Sequence, residues 1–445
     1  MGDRLVVIGG DAGGMAALSQ VRKGSPECEI VVLERGHWTS YSACGIPYFV
    51  AGEVAEVERL VARTPQQFRD RDRVDVRMRH EATGIDLGAR RVAVRDLERD
   101  RTYQLPFDQL LLGVGGRPIR PPLPGIDLPF VHGVQTLDDG IHLVRHAEEV
   151  RCRRVVVVGG GYIGIEIAEA FVQRGASVTL AERAPQVMST LDPEMGQRVT
   201  AAMRRHGIDV RTDTEVVGFE DGRVVTADGV LEADLVMLGI GVAPNGELAG
   251  AAGIELGVRG AIRVDRRQQT SADGVWAAGD CCESVHLVSG QRVHVALGTV
   301  ANKQARVAGI NIGGGYATFP GVLGTAISRF CEVEVARTGL TEAEAAAAGF
   351  GAVPVTIEST TTAGYMPGAE RLAVKVVAER GTGRLLGAQI VGGAGSAKRI
   401  DVCAVALTAR MSVHEMVDLD LAYAPPFSGV WDPVLVAARE AIKAV

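Results

Sequence analysis

The stretch VVVVGGGYIGIEIAEAF, Val155–Phe171, joins a run of valines to three glycines and then to residues with helical spacing. The glycines fit the pattern G-x-G-x-x-G at Gly159, Gly161 and Gly164. In such a loop, glycines let backbone amides approach a diphosphate at the N-terminus of a helix. Glu182 follows at the end of the next predicted strand, where these loops bind ribose hydroxyls. The stretch therefore predicts a strand–loop–helix unit that binds a dinucleotide.

A second unit of the same kind is predicted in residues 4–34. Gly9, Gly14 and Glu34 occupy the positions of the first glycine, the last glycine and the acid that binds ribose. Asp11 stands where the middle glycine belongs, so it would bring a carboxylate toward the phosphates. The two loops lie about 150 residues apart, and together they predict that one chain binds two dinucleotides.

The acid that follows the second strand of the Val155–Phe171 unit, Glu182, indicates which nicotinamide nucleotide is favoured. Glu182 would accept a hydrogen bond from a free 2′-hydroxyl and repel a 2′-phosphate, which favours NADH. Arg183 follows directly and could pair with a 2′-phosphate. The sequence therefore leaves both NADH and NADPH open.

Composition argues against several classes of function. The 445 residues carry a formal net charge of −7, so the concentrated positive surface that binds nucleic acid is not expected. The longest apolar run is interrupted by glycines and glutamates, which argues against a membrane span. Leu5 already lies in the first predicted strand with no signal segment before it, so a cytoplasmic location is expected. Seven cysteines form no C-x-x-C pair and no zinc spacing, and neither structural disulfides nor a metal site is expected.

Three further segments, together with both loops and Cys44, carry a family resemblance. LLLGVGGRP (110–118) and LGIGVAPN (238–245) resemble the crossover segments of the pyridine nucleotide-disulfide oxidoreductases, and TSADGVWAAGD, ending at Asp280, resembles their flavin-binding motif. The resemblance implies FAD on the first loop and NADH or NADPH on the second. It also implies that Tyr162 covers the flavin until the nicotinamide arrives, and that Glu166 lies near both rings.

The resemblance implies an α/β fold of two Rossmann-like, doubly wound nucleotide-binding domains and a C-terminal α+β dimerisation domain that makes a homodimer. The FAD domain is predicted to consist of two separate segments, 1–118 and 246–320. The NAD(P)H domain (119–245) is inserted between them, and the dimerisation domain (321–445) follows. After residue 320 the pattern changes to alternating strands such as RLAVKVV and LLGAQIV, which favours an antiparallel sheet there.

The segment SYSACGIPY (40–48) contains a single cysteine, Cys44. Members of the family with two active cysteines use C-x-x-x-x-C, but Thr39 and Phe49 stand at the two positions where a partner would be expected. The sequence therefore resembles the single-cysteine branches, which are coenzyme A-disulfide reductases, persulfide reductases, and NADH oxidases or peroxidases. Pro47 is well placed to start a helix, and a helix N-terminus is expected to lower the pKa of Cys44.

Two features favour the reductases over the oxidases. Ala12 replaces the histidine that oxidases and peroxidases carry in the first loop, so the partner for a sulfenic-acid cycle is missing. AGYMPGA and DLAYAPPFSGVWDPV resemble reductase segments that place tyrosines beside the cysteine of the other subunit. The matching residues, Tyr365 and Tyr423, are predicted to protonate the departing thiolate.

The substrate is predicted to be a low-molecular-weight disulfide, with coenzyme A disulfide favoured and a persulfide as the alternative. Ser40 is retained and Arg22 could attract the phosphates of coenzyme A, which could also be a bound ligand, but Ala43 replaces an asparagine of the best-defined reductases. The sequence also leaves open an NADH oxidase or peroxidase and a non-catalytic flavin redox sensor. The predicted catalytic residues are Cys44, Tyr365 and Tyr423. The predicted cofactor-binding residues are Gly9, Gly14, Glu34, Arg35, Ser42, Gly115, Gly159, Gly161, Tyr162, Ile163, Gly164, Glu166, Glu182, Arg183, Gly241, Asp280 and Ala296.

Overall fold

The computed structural model describes residues 3–445. Its strands are β1 (Arg4–Ile8), β2 (Glu29–Glu34), β3 (Val74–Met78), β4 (His80–Asp86), β5 (Arg91–Asp96), β6 (Arg101–Pro106), β7 (Gln109–Leu112), β8 (Gly116–Pro118), β9 (Val131–Gly133), β10 (Arg154–Val158), β11 (Ser177–Ala181), β12 (Asp209–Arg211), β13 (Val216–Glu220), β14 (Arg223–Thr226), β15 (Gly229–Glu232), β16 (Leu235–Leu238), β17 (Val242–Pro244), β18 (Val275–Ala277), β19 (Ser284–Val285), β20 (Arg292–Val293), β21 (Ala326–Phe330), β22 (Val333–Gly339), β23 (Ala352–Thr360), β24 (Arg371–Glu379) and β25 (Leu385–Gly392).

The α-helices connect and cover these strands. They are α1 (Ala12–Gly24), α2 (Ile46–Ala51), α3 (Pro65–Asp72), α4 (Leu137–Glu149), α5 (Tyr162–Gln173), α6 (Pro193–Arg205), α7 (Glu247–Ala251), α8 (Gly298–Ile312), α9 (Glu342–Ala347), α10 (Ile400–Thr408), α11 (Val413–Val417) and α12 (Pro433–Ile442). None of the helices in residues 3–445 combines the length and the apolar character needed to cross a bilayer.

Two five-stranded parallel sheets carry the nucleotide loops. The first has the order β18-β7-β1-β2-β3 and the second the order β12-β11-β10-β16-β9. The central strands β1 and β10 are buried along nearly their whole length, because helices cover one face of each parallel sheet and a three-stranded antiparallel sheet covers the other. The covering sheet is formed by β4–β6 on the first parallel sheet and by β13–β15 on the second. β18 joins the first sheet from more than 150 residues beyond β7, so two separate segments of the chain build that sheet. The predicted α/β fold with two doubly wound units is confirmed.

The C-terminal sheet is antiparallel, with the order β21-β22-β25-β24-β23. RLAVKVV and LLGAQIV form the neighbouring strands β24 and β25, as the alternating pattern predicted. The two-stranded ribbon of β8 and β17 lies near the predicted domain boundaries at 118 and 245, which stay predictions.

A buried lysine joins the second nucleotide-binding unit to the C-terminal sheet. Lys375 lies on β24 and is 0% exposed. Its ammonium group is 3.0 Å from Asp192 and also contacts Glu194 and Glu342. Gln389 on β25 donates to the same Asp192 carboxylate at 2.6 Å. This lysine–carboxylate cluster holds the start of α6 against the C-terminal sheet.

Candidate active site

The first glycine loop connects β1 to α1 and is tightly folded. Gly9 has a φ of +109°, and a Cβ added at Gly14 would lie 2.1 Å from the Gly9 carbonyl oxygen. The start of α1 therefore lies so close to the end of β1 that only glycine fits at this position. The Glu34 carboxylate accepts hydrogen bonds from the amides of Gly10 at 2.7 Å and Gly36 at 2.6 Å, which fixes it at the edge of the loop.

The second loop, between β10 and α5, repeats this geometry. Gly159 has a φ of +97°, and a Cβ added at Gly164 would lie 2.0 Å from the Gly159 carbonyl oxygen. Glu182 accepts from the amides of Gly160 at 2.6 Å and Ala184 at 2.7 Å. The neighbouring Arg183 side chain is exposed. Two loops of different sequence thus form the same pair of elements, a glycine turn and an anchored carboxylate.

Both loops fit dinucleotides. The first amides of α1 and α5 have no partner within their own helices, because an α-helix leaves its first turn of donors free. A Cβ added at Gly161 would meet only the Gly239 carbonyl oxygen, at 3.7 Å, so space remains above the start of α5. Gly115, with a φ of +62°, and Gly298, at the start of α8, have nothing within 4 Å of an added Cβ.

The close packing at Gly164 gives the first prediction. Gly164→Ala places a methyl group against a backbone oxygen, and we expect the unfolding temperature to fall by several degrees and the affinity for NAD(P)H to drop about tenfold or more. Gly161→Ala is the matched control for stability, because its added methyl makes only an ordinary contact within the chain. Thermal unfolding compares the two variants, and NAD(P)H titration measures the affinity of Gly164→Ala. Equal stability of the two variants would contradict the role of close packing at Gly164.

Cys44 lies in a single 3-10 turn, Ala43–Gly45, directly before α2. Its side chain is exposed, and all seven cysteines carry free thiols. Burial raises the pKa of Cys44, and the carboxylates of Glu166, Asp280 and Asp11 raise it further. The prediction that a helix N-terminus lowers this pKa is wrong for the chain alone. α2 does begin next to Pro47, but its six residues are outweighed by partial desolvation and the acidic neighbours.

The segment that leads to Cys44 is attached to the first loop. The Ser40 amide donates to the Gly10 carbonyl oxygen at 2.8 Å, and the Thr39 hydroxyl donates to the same oxygen. The Tyr41 amide donates to the Asp11 carboxylate at 3.1 Å. Ser40 adopts a φ of +48°, in the left-handed region that most residues avoid. The structure therefore brings the lone cysteine and the first nucleotide loop together.

Glu166 and Tyr162 lie on the first two turns of α5, which packs against α2. Burial raises the pKa of Glu166, and the Ser328 hydroxyl donates to its carboxylate at 2.8 Å. The Tyr162 hydroxyl is buried and has no hydrogen-bond partner within residues 3–445. Ser328 was not predicted from the sequence, since no local pattern links it to a residue 162 positions away.

Three other predicted cofactor-binding residues, Arg35, Gly241 and Asp280, follow strands of the two parallel sheets. Asp280 follows β18, and burial raises the pKa of its carboxyl. Gly241 follows β16 with a φ of +106°. Ser42 is exposed beside Cys44, and Arg35 is exposed after β2, where its carbonyl oxygen accepts from Arg79. Ile163 and Ala296, which were also predicted to bind a cofactor, are half-buried.

Tyr365 and Tyr423 come together on the surface of the C-terminal domain. Their segments are joined by the Ala363 amide, which donates to the Pro425 carbonyl oxygen at 3.0 Å. Partial desolvation and the neighbouring Tyr423 raise the pKa of Tyr365. Tyr365 is 75% exposed, and the exposed side chains of Phe427, Val430 and Trp431 follow in the second segment. We call Tyr365, Tyr423, Phe427, Val430 and Trp431 the aromatic face.

The Arg22 guanidinium is occupied by hydrogen bonds to backbone carbonyl oxygens. Its guanidinium donates to the carbonyl oxygens of Asp72 at 2.9 Å, Cys28 at 2.9 Å and Arg73 at 3.2 Å. These bonds connect α1 to the end of α3 and to the residues before β2. The contacts of Arg22 therefore do not favour its predicted role in binding coenzyme A.

Comparison with known proteins agrees with this architecture. Residues 3–305 match the family model described as pyridine nucleotide-disulphide oxidoreductase, and residues 325–434 match the dimerisation domain of the same family. The chain belongs to the pyridine nucleotide-disulphide oxidoreductase family, as the motifs predicted. FAD and NAD(P)H are the cofactors that this membership and the two loops support.

Three relatives are similar over nearly the whole chain. The NAD(P)H sulfur oxidoreductase (CoA-dependent) of Pyrococcus furiosus is 38% identical, covering 98% of each chain. The crystal structure of reduced Bacillus anthracis CoADR-RHD superposes with a TM-score of 0.97 at 33% identity, covering 100% of this chain and 80% of the other. A NAD-dependent persulfide reductase from A. fulgidus gives a TM-score of 0.96 at 37% identity, covering 99% and 83%.

Proposed function

We propose that this chain is an FAD-dependent NAD(P)H oxidoreductase that reduces a coenzyme A-linked disulfide or persulfide through Cys44. The observation that carries the proposal is an exposed, unpaired thiol on a segment bound to the first nucleotide loop. A lone sulfur can accept two electrons as a disulfide only if the second sulfur arrives on another molecule. The names of the relatives from Pyrococcus furiosus and A. fulgidus support a sulfur acceptor.

The roles of the nucleotide-binding residues follow from the two loops. We assign FAD to the loop of Gly9, Gly14 and Glu34, and NAD(P)H to the loop of Gly159, Gly161, Gly164 and Glu182. FAD held there would supply the chemistry that accepts a hydride from NAD(P)H and delivers two electrons to a disulfide at Cys44. Residues 1–118 and 246–320 would form the FAD domain and 119–245 the NAD(P)H domain.

Cys44 carries the sulfur chemistry in this proposal. Its thiolate attacks one sulfur of the substrate disulfide, forms a mixed disulfide and releases the other half as a thiolate. With a persulfide, the released group is hydrosulfide. Because burial and nearby carboxylates raise the pKa of Cys44, the bound substrate and cofactors must help to stabilise its thiolate.

The released thiolate needs a proton. We assign this role to Tyr365 and Tyr423 of a second copy of the chain, with residues 321–445 as the dimerisation domain. The aromatic face supports the assignment, because large exposed apolar side chains mark surfaces that another protein covers. Free thiols at all seven cysteines fit a reducing compartment such as the cytoplasm.

Mass spectrometry of the purified protein before and after dithiothreitol tests the proposal. We expect a coenzyme A adduct at Cys44 that dithiothreitol releases, and NAD(P)H oxidation that depends on added coenzyme A disulfide or persulfide. Comparing the two acceptors identifies the substrate. NADH-dependent oxygen consumption without any disulfide, together with an oxygen-only adduct, would replace the proposal by an NADH oxidase. Flavin reduction without turnover of any acceptor would indicate a redox sensor.

A further inference from the structure

The first nucleotide loop contains an aspartate at a position where the second loop has glycine. Asp11 and Gly161 both precede the first residue of their helices and both have extended backbone, with φ of −117° and −76°. A Cβ added at Gly161 would make only an ordinary contact. The backbone therefore does not require glycine here, and what distinguishes the first loop is the carboxyl group of Asp11.

The Asp11 carboxyl is contacted by the backbone amides of Tyr41 and Ala12. One of its oxygens accepts the Tyr41 amide at 3.1 Å, which links the nucleotide loop to the segment that carries Cys44. No lysine or arginine within residues 3–445 forms an ion pair with it. The charged groups that face it are the carboxylates of Glu34 from β2 and Asp280 after β18, and the titratable Tyr41 phenol and Cys44 thiol also interact electrostatically with it.

This environment opposes a negative charge. Burial, together with the Glu34 and Asp280 carboxylates, raises the pKa of Asp11 to about 6, although the amides of Tyr41 and Ala12 act in the opposite direction. A diphosphate at the start of α1 would bring further negative charge to the same place. Ionised Asp11 and a bound diphosphate would therefore repel each other.

We propose that Asp11 binds the FAD diphosphate as a neutral carboxylic acid that takes up one proton from solvent when FAD binds. The inference rests on the assignment of FAD to the first loop. The oxygen that accepts from Tyr41 keeps that bond, and the protonated oxygen becomes a donor for a phosphate oxygen. No electrons are transferred, and the proton returns to solvent when FAD leaves.

The proposal fixes the sign of a pH effect. Above pH 6 the neutral fraction of Asp11 in the FAD-free chain falls about tenfold per pH unit, so the Kd for FAD should rise by about the same factor. Asp11→Asn keeps an acceptor for Tyr41 and a donor for phosphate without titrating. At pH 8 we expect it to bind FAD about 30- to 100-fold more tightly than the wild type does.

FAD released on dilution of the holoenzyme, followed by its fluorescence from pH 6 to 9, measures these constants. Calorimetric titration of the FAD-free chain in two buffers of different ionisation enthalpy counts the protons. We expect the wild type at pH 8 to take up about one proton for each FAD bound, and Asp11→Asn to take up none. Glu27→Gln is the control, because it removes an exposed carboxylate outside the nucleotide loop, and it should keep the proton uptake.

Two results would overturn the proposal. One is a wild-type Kd that does not change with pH and is accompanied by no proton uptake. The other is the same uptake in Asp11→Asn, which would place the proton on another group such as Asp280. If Asp11→Asn fails to fold, Asp11→Gly reproduces the residue of the second loop and should bind FAD without taking up a proton. Because these measurements use FAD binding alone, they do not depend on the identity of the disulfide substrate.

Discussion

Cys44→Ser is expected to lower NAD(P)H-dependent disulfide reduction by at least about 10³-fold while FAD remains bound. A serine oxygen cannot form the mixed disulfide, and none of the other six cysteines takes the place of Cys44 in the segment bound to the first loop. Steady-state turnover and the flavin absorbance of the purified variant measure the two quantities separately.

Cys152→Ser is the matched control for this variant. Cys152 is half-buried, and desolvation raises its pKa to about 11, so its thiol is protonated at neutral pH. We expect turnover within about twofold of the wild type, because a partly exposed surface substitution has little effect. Turnover in Cys44→Ser that stays above a tenth of the wild-type value would remove this sulfur from the reaction.

Lys375→Met is expected to destabilise the protein by about 3–5 kcal/mol, because it leaves Asp192, Glu194 and Glu342 close together without their cation. Urea unfolding followed by tryptophan fluorescence measures the loss. Lys398→Met is the control: Lys398 pairs with Asp401, but its side chain is 73% exposed, so the change should be below about 1 kcal/mol.

The effect of Lys375→Met should depend on pH in a defined direction. Although desolvation opposes it, the contact with Lys375 lowers the pKa of Glu194 below its ordinary value of 4.5. Its contribution to stability is therefore present above about pH 4.5 and is lost as the pH falls through the folded-state value. The difference between variant and wild type should shrink in acid. An equal difference at pH 7 and pH 3 would show that charge is not the cause.

Local sequence patterns predicted the backbone of this protein well. The two glycine loops are short, and Gly14 and Gly164 are each required by a close approach to the carbonyl oxygen of a glycine five residues earlier. RLAVKVV and LLGAQIV are likewise rich in apolar residues and form neighbouring strands that are buried on both faces. Such features are visible in sequence because the residues that cause them lie next to each other in the chain.

Contacts between distant segments were not visible in this way. Ser328 meets Glu166, and Lys375 meets Asp192, only after the sheets are assembled. The direction of the Cys44 pKa shift depends first on desolvation and then on carboxylates from three separate regions of the chain. The distance in sequence between Cys44 and Pro47 contains neither of these effects. Arg22 is similar in part, since two of its carbonyl partners, Asp72 and Arg73, come from the end of α3. Electrostatic environments are set by the folded arrangement, and single-segment patterns do not contain them.

The aromatic face has a genetic consequence. If the sulfur of each reaction centre belongs to one molecule and the phenols to its neighbour, then two differently damaged chains can compensate for each other. A copy without Cys44 still offers Tyr365 and Tyr423, and a copy without those tyrosines still offers its thiol. Expressed together, two inactive alleles would regain some of the function that neither has alone, since each hybrid assembly would contain one intact centre.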